Sequence, residues 1–197
     1  MNKRIYKIIR GLPVIGVVFR IANAYVYEGS DEGNESLAPM RMWWNKILKK
    51  MIYLFFFVLF LCFINYKYTP AFTWEPSDAI LSVFPSILGF GIGVFALMFV
   101  MPNSFLKFLV ESKKSKQISF GPEIVPVDMG YPLVVFISVI AWAGINKVFP
   151  FQSLKYLSVW AFFYGIAMTL ELISFLFNSS YIIQKISLKN DSDNEDD

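Results

Sequence analysis

Four apolar runs, each about twenty residues long, limit what this chain can fold into: 47–66, 79–101, 131–149 and 154–178. A bilayer core is about 30 Å thick and a helix rises about 1.5 Å per residue, so roughly 20 mostly apolar residues cross it. Strands in lipid would have to close a barrel, and barrel strands alternate in polarity over about ten residues. Uninterrupted runs of twice that length predict helices. The expected fold is all-α: a polytopic membrane protein with four transmembrane helices and an N-terminal amphipathic interfacial helix. Composition agrees, with 56% hydrophobic and 17% charged residues and a mean hydropathy of +0.51. Soluble domains carry about 25% charge.

Basic residues set the expected orientation. Lys3, Arg4, Lys7, Arg10, Arg20, Arg41 and Lys46 precede the first run, and Lys49 and Lys50 lie at its inner end. Lys107, Lys113, Lys114 and Lys116 follow the second, and Lys185 and Lys189 follow the fourth. With both termini inside, 15 of the 18 Lys and Arg are internal, and only Lys67, Lys147 and Lys155 are external. The chain is therefore expected to be a multi-pass protein of the cell inner (cytoplasmic) membrane with both termini cytoplasmic. Trp43, Trp44, Tyr66, Tyr68, Trp74 and Tyr156 fall at the borders of the runs, where rings with one wet end are favoured.

Three regions follow. Residues 1–38 form a cytoplasmic amphipathic helix and acidic loop. Residues 39–178 form the transmembrane domain with a cytoplasmic loop at 102–129. Residues 179–197 form a cytoplasmic acidic tail. The N-terminus has a signal-like order of charge and apolarity, with Ala22-Asn23-Ala24 after it. Arg20, Pro13 and Gly16 in or beside a short apolar stretch argue for an uncleaved interfacial helix instead. On a helical wheel Lys3, Arg4, Lys7 and Arg10 share one face, opposite Ile5, Ile8, Ile9, Leu12 and Phe19. Such a helix suits an anionic inner leaflet, each base contributing about 1 kcal/mol. Packing across the ends of the spans is a compatible alternative. Residues 28–36 (EGSDEGNES) read as a loop, and Pro39 as the start of the helix entering the first span.

In the long internal connection, Asn103 caps an expected helix over 104–116. Residues 118–127 (ISFGPEIVPV) are apolar but broken by Gly121, Pro122 and Pro126, and read as a loop. Residues 190–197 (NDSDNEDD) read as a disordered acidic tail.

Small residues let membrane helices approach. In the second run Ser82, Pro85, Ser86, Gly89, Gly93 and Ala96 share one helix face, and in the fourth Ala161, Gly165 and Thr169 make a stripe. Both are expected to pack, within one bundle or between protomers, and a homo-oligomer is expected. Glu171 is the interior charge of the fourth run, with Lys155 at its outer edge. A carboxyl at that depth is costly unless protonated, paired or wetted. Tyr164, Ser174 and Asn178 share its face, with Trp160 and Ala167. The face suits a pore or interface, or a structural ion pair, with Lys49, Lys50 and Lys107 in reach.

The chain has no histidine and one cysteine, Cys62. This excludes His-based catalysis, His metal sites and an internal disulfide. No paired acid motif or phosphate loop is present, so no enzyme activity, cofactor or metal is expected. The basic residues follow the membrane borders, so no direct nucleic-acid binding is expected. Two functions fit. One is a non-catalytic, oligomeric inner-membrane subunit that anchors or senses for a cytosolic effector partner. The alternative is a small oligomeric ion channel or transporter lined by the Glu171 face.

Four spans, internal termini and the run PSILGFGIG at 85–93 resemble small four-span membrane proteins of bacterial anti-phage defence systems, of the Kiwa KwaA kind. The resemblance covers size, span number and texture and carries over no functional residue. It implies an inner-membrane oligomer coupled to a DNA-binding cytosolic partner and responding to phage attack.

Overall fold

In a computed structural model that describes residues 2–68, 74–97, 107, 110 and 123–195, every regular element is helical. The chain opens with α1 (Asn2–Arg10) and α2 (Ile15–Val26), followed by the single turn α3 (Glu32–Glu35). A short α4 (Met40–Trp43) passes through a π-helical turn (Trp44–Leu48) into α5 (Lys49–Tyr68). Then come α6 (Pro76–Leu97), α7 (Ile124–Val148) and α8 (Gln152–Glu195).

Four helical stretches are long and apolar enough to cross a membrane: Met40–Asn65, Pro76–Leu97, Ile124–Val148 and Gln152–Ile182. They match the four runs in order, with earlier starts. Helix propagation costs little once nucleated, so polar flanks are drawn in. Residues 124–127, expected in a loop, form the first turn of α7. Pro126 is tolerated there because first-turn N–H groups lack intrahelical acceptors. The tail expected to be disordered continues α8 as helix through Glu195. The helix expected over 104–116 lies outside the described residues, apart from Lys107 and Val110, which are helical.

The core sits between α6, α7 and α8, where Ile80, Phe84, Phe136, Ala143, Met168 and Leu172 are buried together. In contrast, α5 leans chiefly on α8. Its Phe55, Phe56, Phe57, Phe60 and Phe63 are exposed on the chain's outer surface.

The N-terminal unit docks on the start of α7 through α2. Its fold depends on one buried amide. Asn23 is fully buried and donates to the carbonyls of Gly33 (2.8 Å) and Ser36 (2.9 Å), while its Oδ1 accepts from the Ala38 N–H (2.9 Å). Tyr6 of α1 donates to the same Gly33 carbonyl at 2.9 Å. The acidic segment expected as a plain loop is thus bracketed on both sides and holds a helical turn. Gly29 has φ +78° and lies against the Glu123 backbone, where a Cβ would collide. Only glycine meets both demands at low cost.

Candidate functional site

Glu171 of α8 is paired within its own chain. Its Oε1 accepts from the Lys50 ammonium at the start of α5, and its Oε2 accepts from the Tyr25 hydroxyl of α2 at 3.1 Å. Lys50 also donates to the Tyr25 hydroxyl, at 3.3 Å. Three elements therefore converge on one closed set of charge-assisted bonds, which are stronger than neutral ones. Burial, and next the Glu171 charge, hold the Tyr25 hydroxyl well above the ordinary phenol range, so it stays a donor. Asp128, Lys46 and Glu28 lie within electrostatic reach of this node, and Lys46 pairs with Glu28 at 2.5 Å.

Aromatic contacts extend the node round the bundle. The Tyr25 ring stacks on Tyr131 of α7 with centroids 4.2 Å apart. The Tyr131 and Tyr164 hydroxyls are 2.7 Å apart. Trp160 stacks on Tyr164 at 5.5 Å, and its indole N–H donates to the Met51 carbonyl at 3.2 Å. Met51 follows Lys50, so the sequence Lys50, Tyr25, Tyr131, Tyr164, Trp160, Met51 is a closed belt through α2, α5, α7 and α8. The belt holds helices in register and confines a charge.

The expected site residues divide between this belt and the surface. Glu171 and Tyr164 belong to it, one in the charged node and one in the aromatic arc. Ser174 and Asn178 are exposed and take no part. Of the basic residues proposed as partners, Lys50 makes the pair. Lys49 lies instead over the Tyr53 ring at 5.7 Å, and Lys107 is exposed. Lys7 and Arg10 are exposed, with Arg10 donating to the Asn34 carbonyl at 3.3 Å. The side chains of Lys3 and Arg4 lie outside the described residues.

The two small-residue stripes have different surroundings. Ala161 and Gly165 are buried, and the Phe84 ring covers Gly165 so closely that a Cβ would lie 2.5 Å from it. Ser82, Pro85, Gly89 and Gly93 face outward, and nothing lies within 4 Å of a Cβ placed on either glycine. The packed glycine of α6 is Gly91, against Leu133 and Leu172. Bulk explains the choice of face, because Ile80 and Phe84 fill the centre and turn the small residues away.

Sequence reasoning missed Tyr25, Tyr131 and Asn23. A signal exists for Asn23, an amide in the otherwise apolar stretch IANAYV. Among the described residues no group of three His, Cys, Asp or Glu side chains is placed to hold a metal ion. Searched against protein families, curated proteins and solved structures, the chain matches none of them.

Proposed function

We propose that this chain is a non-catalytic, oligomeric inner-membrane subunit that anchors or senses for a cytosolic effector partner. The observation that carries this reading is the pairing of Glu171 with Lys50 and Tyr25. A pore-lining carboxylate must offer its oxygens to passing ions. Here both oxygens are held by the chain's own donors, and one donor comes from the N-terminal unit. The node fastens that unit to the spans and so suits transmission of force or position. The length of α8 adds support, since its 44 residues extend about 66 Å at about 1.5 Å each, roughly twice a bilayer core. Its C-terminal part projects on the side of the N-terminal unit. The distribution of Lys and Arg supports reading that side as cytoplasmic. Exposed Ile8, Leu12, Val14 and Ile15 beside Lys7 and Arg10 suit contact with an anionic lipid surface. The outward Gly89–Gly93 face suits contact with a second copy.

Affinity purification from native membranes, followed by mass spectrometry, tests this reading. A stoichiometric cytosolic partner supports it. No partner, together with ion flux in liposomes that Glu171→Gln abolishes, would establish the channel alternative. The anti-phage role that goes with the resemblance is tested by phage challenge of cells with and without the chain and its partner.

A further inference from the structure

Between α1 and α2 the chain turns at Gly11–Ile15, and all five residues are exposed. Four of them are apolar: Leu12, Pro13, Val14 at 76% exposure and Ile15 at 61%. Exposed Ile8 and Val17 flank them. Turns are ordinarily built from Gly, Pro, Asn, Asp and Ser, and apolar side chains gathered in one exposed patch mark a contact surface.

The backbone of this elbow is strained. Val14 has φ +64° and ψ −62°, and the Ile15 N–H donates to the Pro13 carbonyl at 2.7 Å. This is the rare, strained form of the γ-turn, and a β-branched residue is poorly suited to positive φ. The neighbouring backbone holds it in place. The Gly16 N–H donates to the Leu12 carbonyl at 2.9 Å, and a Cβ on Gly16 would stand 2.5 Å from the Arg10 carbonyl oxygen. Strain of this kind persists only where the surroundings impose it, and it gathers where ligands are held. Here it keeps apolar side chains pointing outward in a preformed arrangement.

Placement and charge say what meets the elbow. Phe19, about one helical turn beyond Ile15, stacks on Trp43 with ring centroids 5.8 Å apart. Trp43 lies in the first turn of the apolar stretch Met40–Asn65, so the elbow stands beside the start of that stretch. Residues 1–27 contain Lys3, Arg4, Lys7, Arg10 and Arg20 and no acidic residue, and Lys7, Arg10 and Arg20 are exposed. An apolar tip between bases complements a bilayer border, where acyl chains lie beneath anionic phosphates.

We propose that the elbow at Gly11–Ile15 is a preformed wedge that inserts among the phospholipids beside the first span. This rests on reading the four apolar helices as spans, and it deepens the lipid contact named above by assigning it to a turn. The face of α1 is less free to lie on lipid, because Tyr6 is buried and bonded to the Gly33 carbonyl. Through α2 the wedge is joined to Tyr25 and so to the Glu171 node.

The test places a polarity-sensitive fluorophore at Val14→Cys or Ile15→Cys of the full chain, each with Cys62→Ala, in nanodiscs of phosphatidylcholine and phosphatidylglycerol. Glu32→Cys, exposed on α3, is the comparison, and an unchanged melting curve shows that each variant is folded. Nanodiscs leave both faces open to solvent, so the orientation of the chain does not enter. Labels at 14 and 15 should emit at shorter wavelength than the label at 32. They should also be quenched more by a nitroxide on the lipid acyl chain and less by aqueous iodide. Equal quenching at all three positions overturns the proposal. Shielding of 14 and 15 from both quenchers also overturns it, since a second copy of the chain then covers the elbow. No cytosolic partner takes part, so the outcome is separate from the purification that tests the subunit reading.

Discussion

Tyr25 and Tyr131 stack with their planes only 11° apart, which joins the N-terminal unit to α7 by ring contact. Hydroxyl and ring can therefore be separated by mutation. Tyr25→Phe keeps the stack and removes the bond to Glu171, at an expected cost of about 1–2 kcal/mol. Tyr25→Ala removes both, and should cost about 3–5 kcal/mol. Denaturant unfolding in a fixed detergent micelle measures each; equal losses would show that the ring contributes nothing.

The same residue gives a pH dependence. Burial and the Glu171 charge raise the Tyr25 hydroxyl above its ordinary 10.0, so the fold favours the neutral form. Its contribution is fully present below about pH 10 and is lost as pH climbs beyond that value. Tyr25→Phe, which cannot ionise, should lose less stability than wild type between neutral and strongly alkaline pH in parallel melts.

Lys50 and Glu171 should behave as one unit. Their side chains are 37% and 32% exposed. Removing either partner is thus expected to cost about 2 kcal/mol rather than the roughly 3–5 kcal/mol of a fully buried pair. Lys50→Met with Glu171→Gln should be more stable than the sum of the single losses predicts. Strict additivity in the double-mutant cycle would mean that the two groups do not interact.

The glycines make opposite predictions. Gly165→Ala presses a methyl group into the Phe84 ring, and overpacking of this kind costs about 1–3 kcal/mol. Gly89→Ala and Gly93→Ala meet open space and leave the melting of the single chain unchanged. If that face joins two copies, the same changes shift the assembly toward monomer in light scattering. A large loss of stability on Gly89→Ala in monomeric protein would contradict the described packing.

Asn23→Ala leaves the Gly33 and Ser36 carbonyls and the Ala38 N–H without their amide partner. At about 1 kcal/mol or more for each lost bond, the N-terminal unit should loosen while the spans persist. Limited proteolysis should then cut between residues 28 and 38, where wild type resists.

The four long apolar helices were legible because a bilayer-sized run has a set length, and length is readable along one dimension. Which face of a helix packs is not written that way. In α6 the small residues advertise close approach, but the centre is filled by Phe84, whose ring needs the missing side chain of Gly165 on another helix. That complement exists only between two elements. Glu171 could be singled out because one charge in an apolar run is conspicuous, and its basic partner lay within a short set of nearby lysines. Tyr25 and Tyr131 could not, since a tyrosine near a helix end looks the same whether it faces lipid, water or another ring. Asn23 lay between, since a lone amide in an apolar helix signals a buried bracket without naming what it holds.

The pairing of Lys50 with Glu171 also has a consequence in time. The two residues are 121 positions apart, and ribosomes add about 5–20 residues per second. For roughly 6–24 s of each synthesis, α5 therefore carries an ammonium group whose carboxylate does not yet exist. Whatever shelters Lys50 in that interval must let go when α8 arrives, so a helix made late is the one that completes α5.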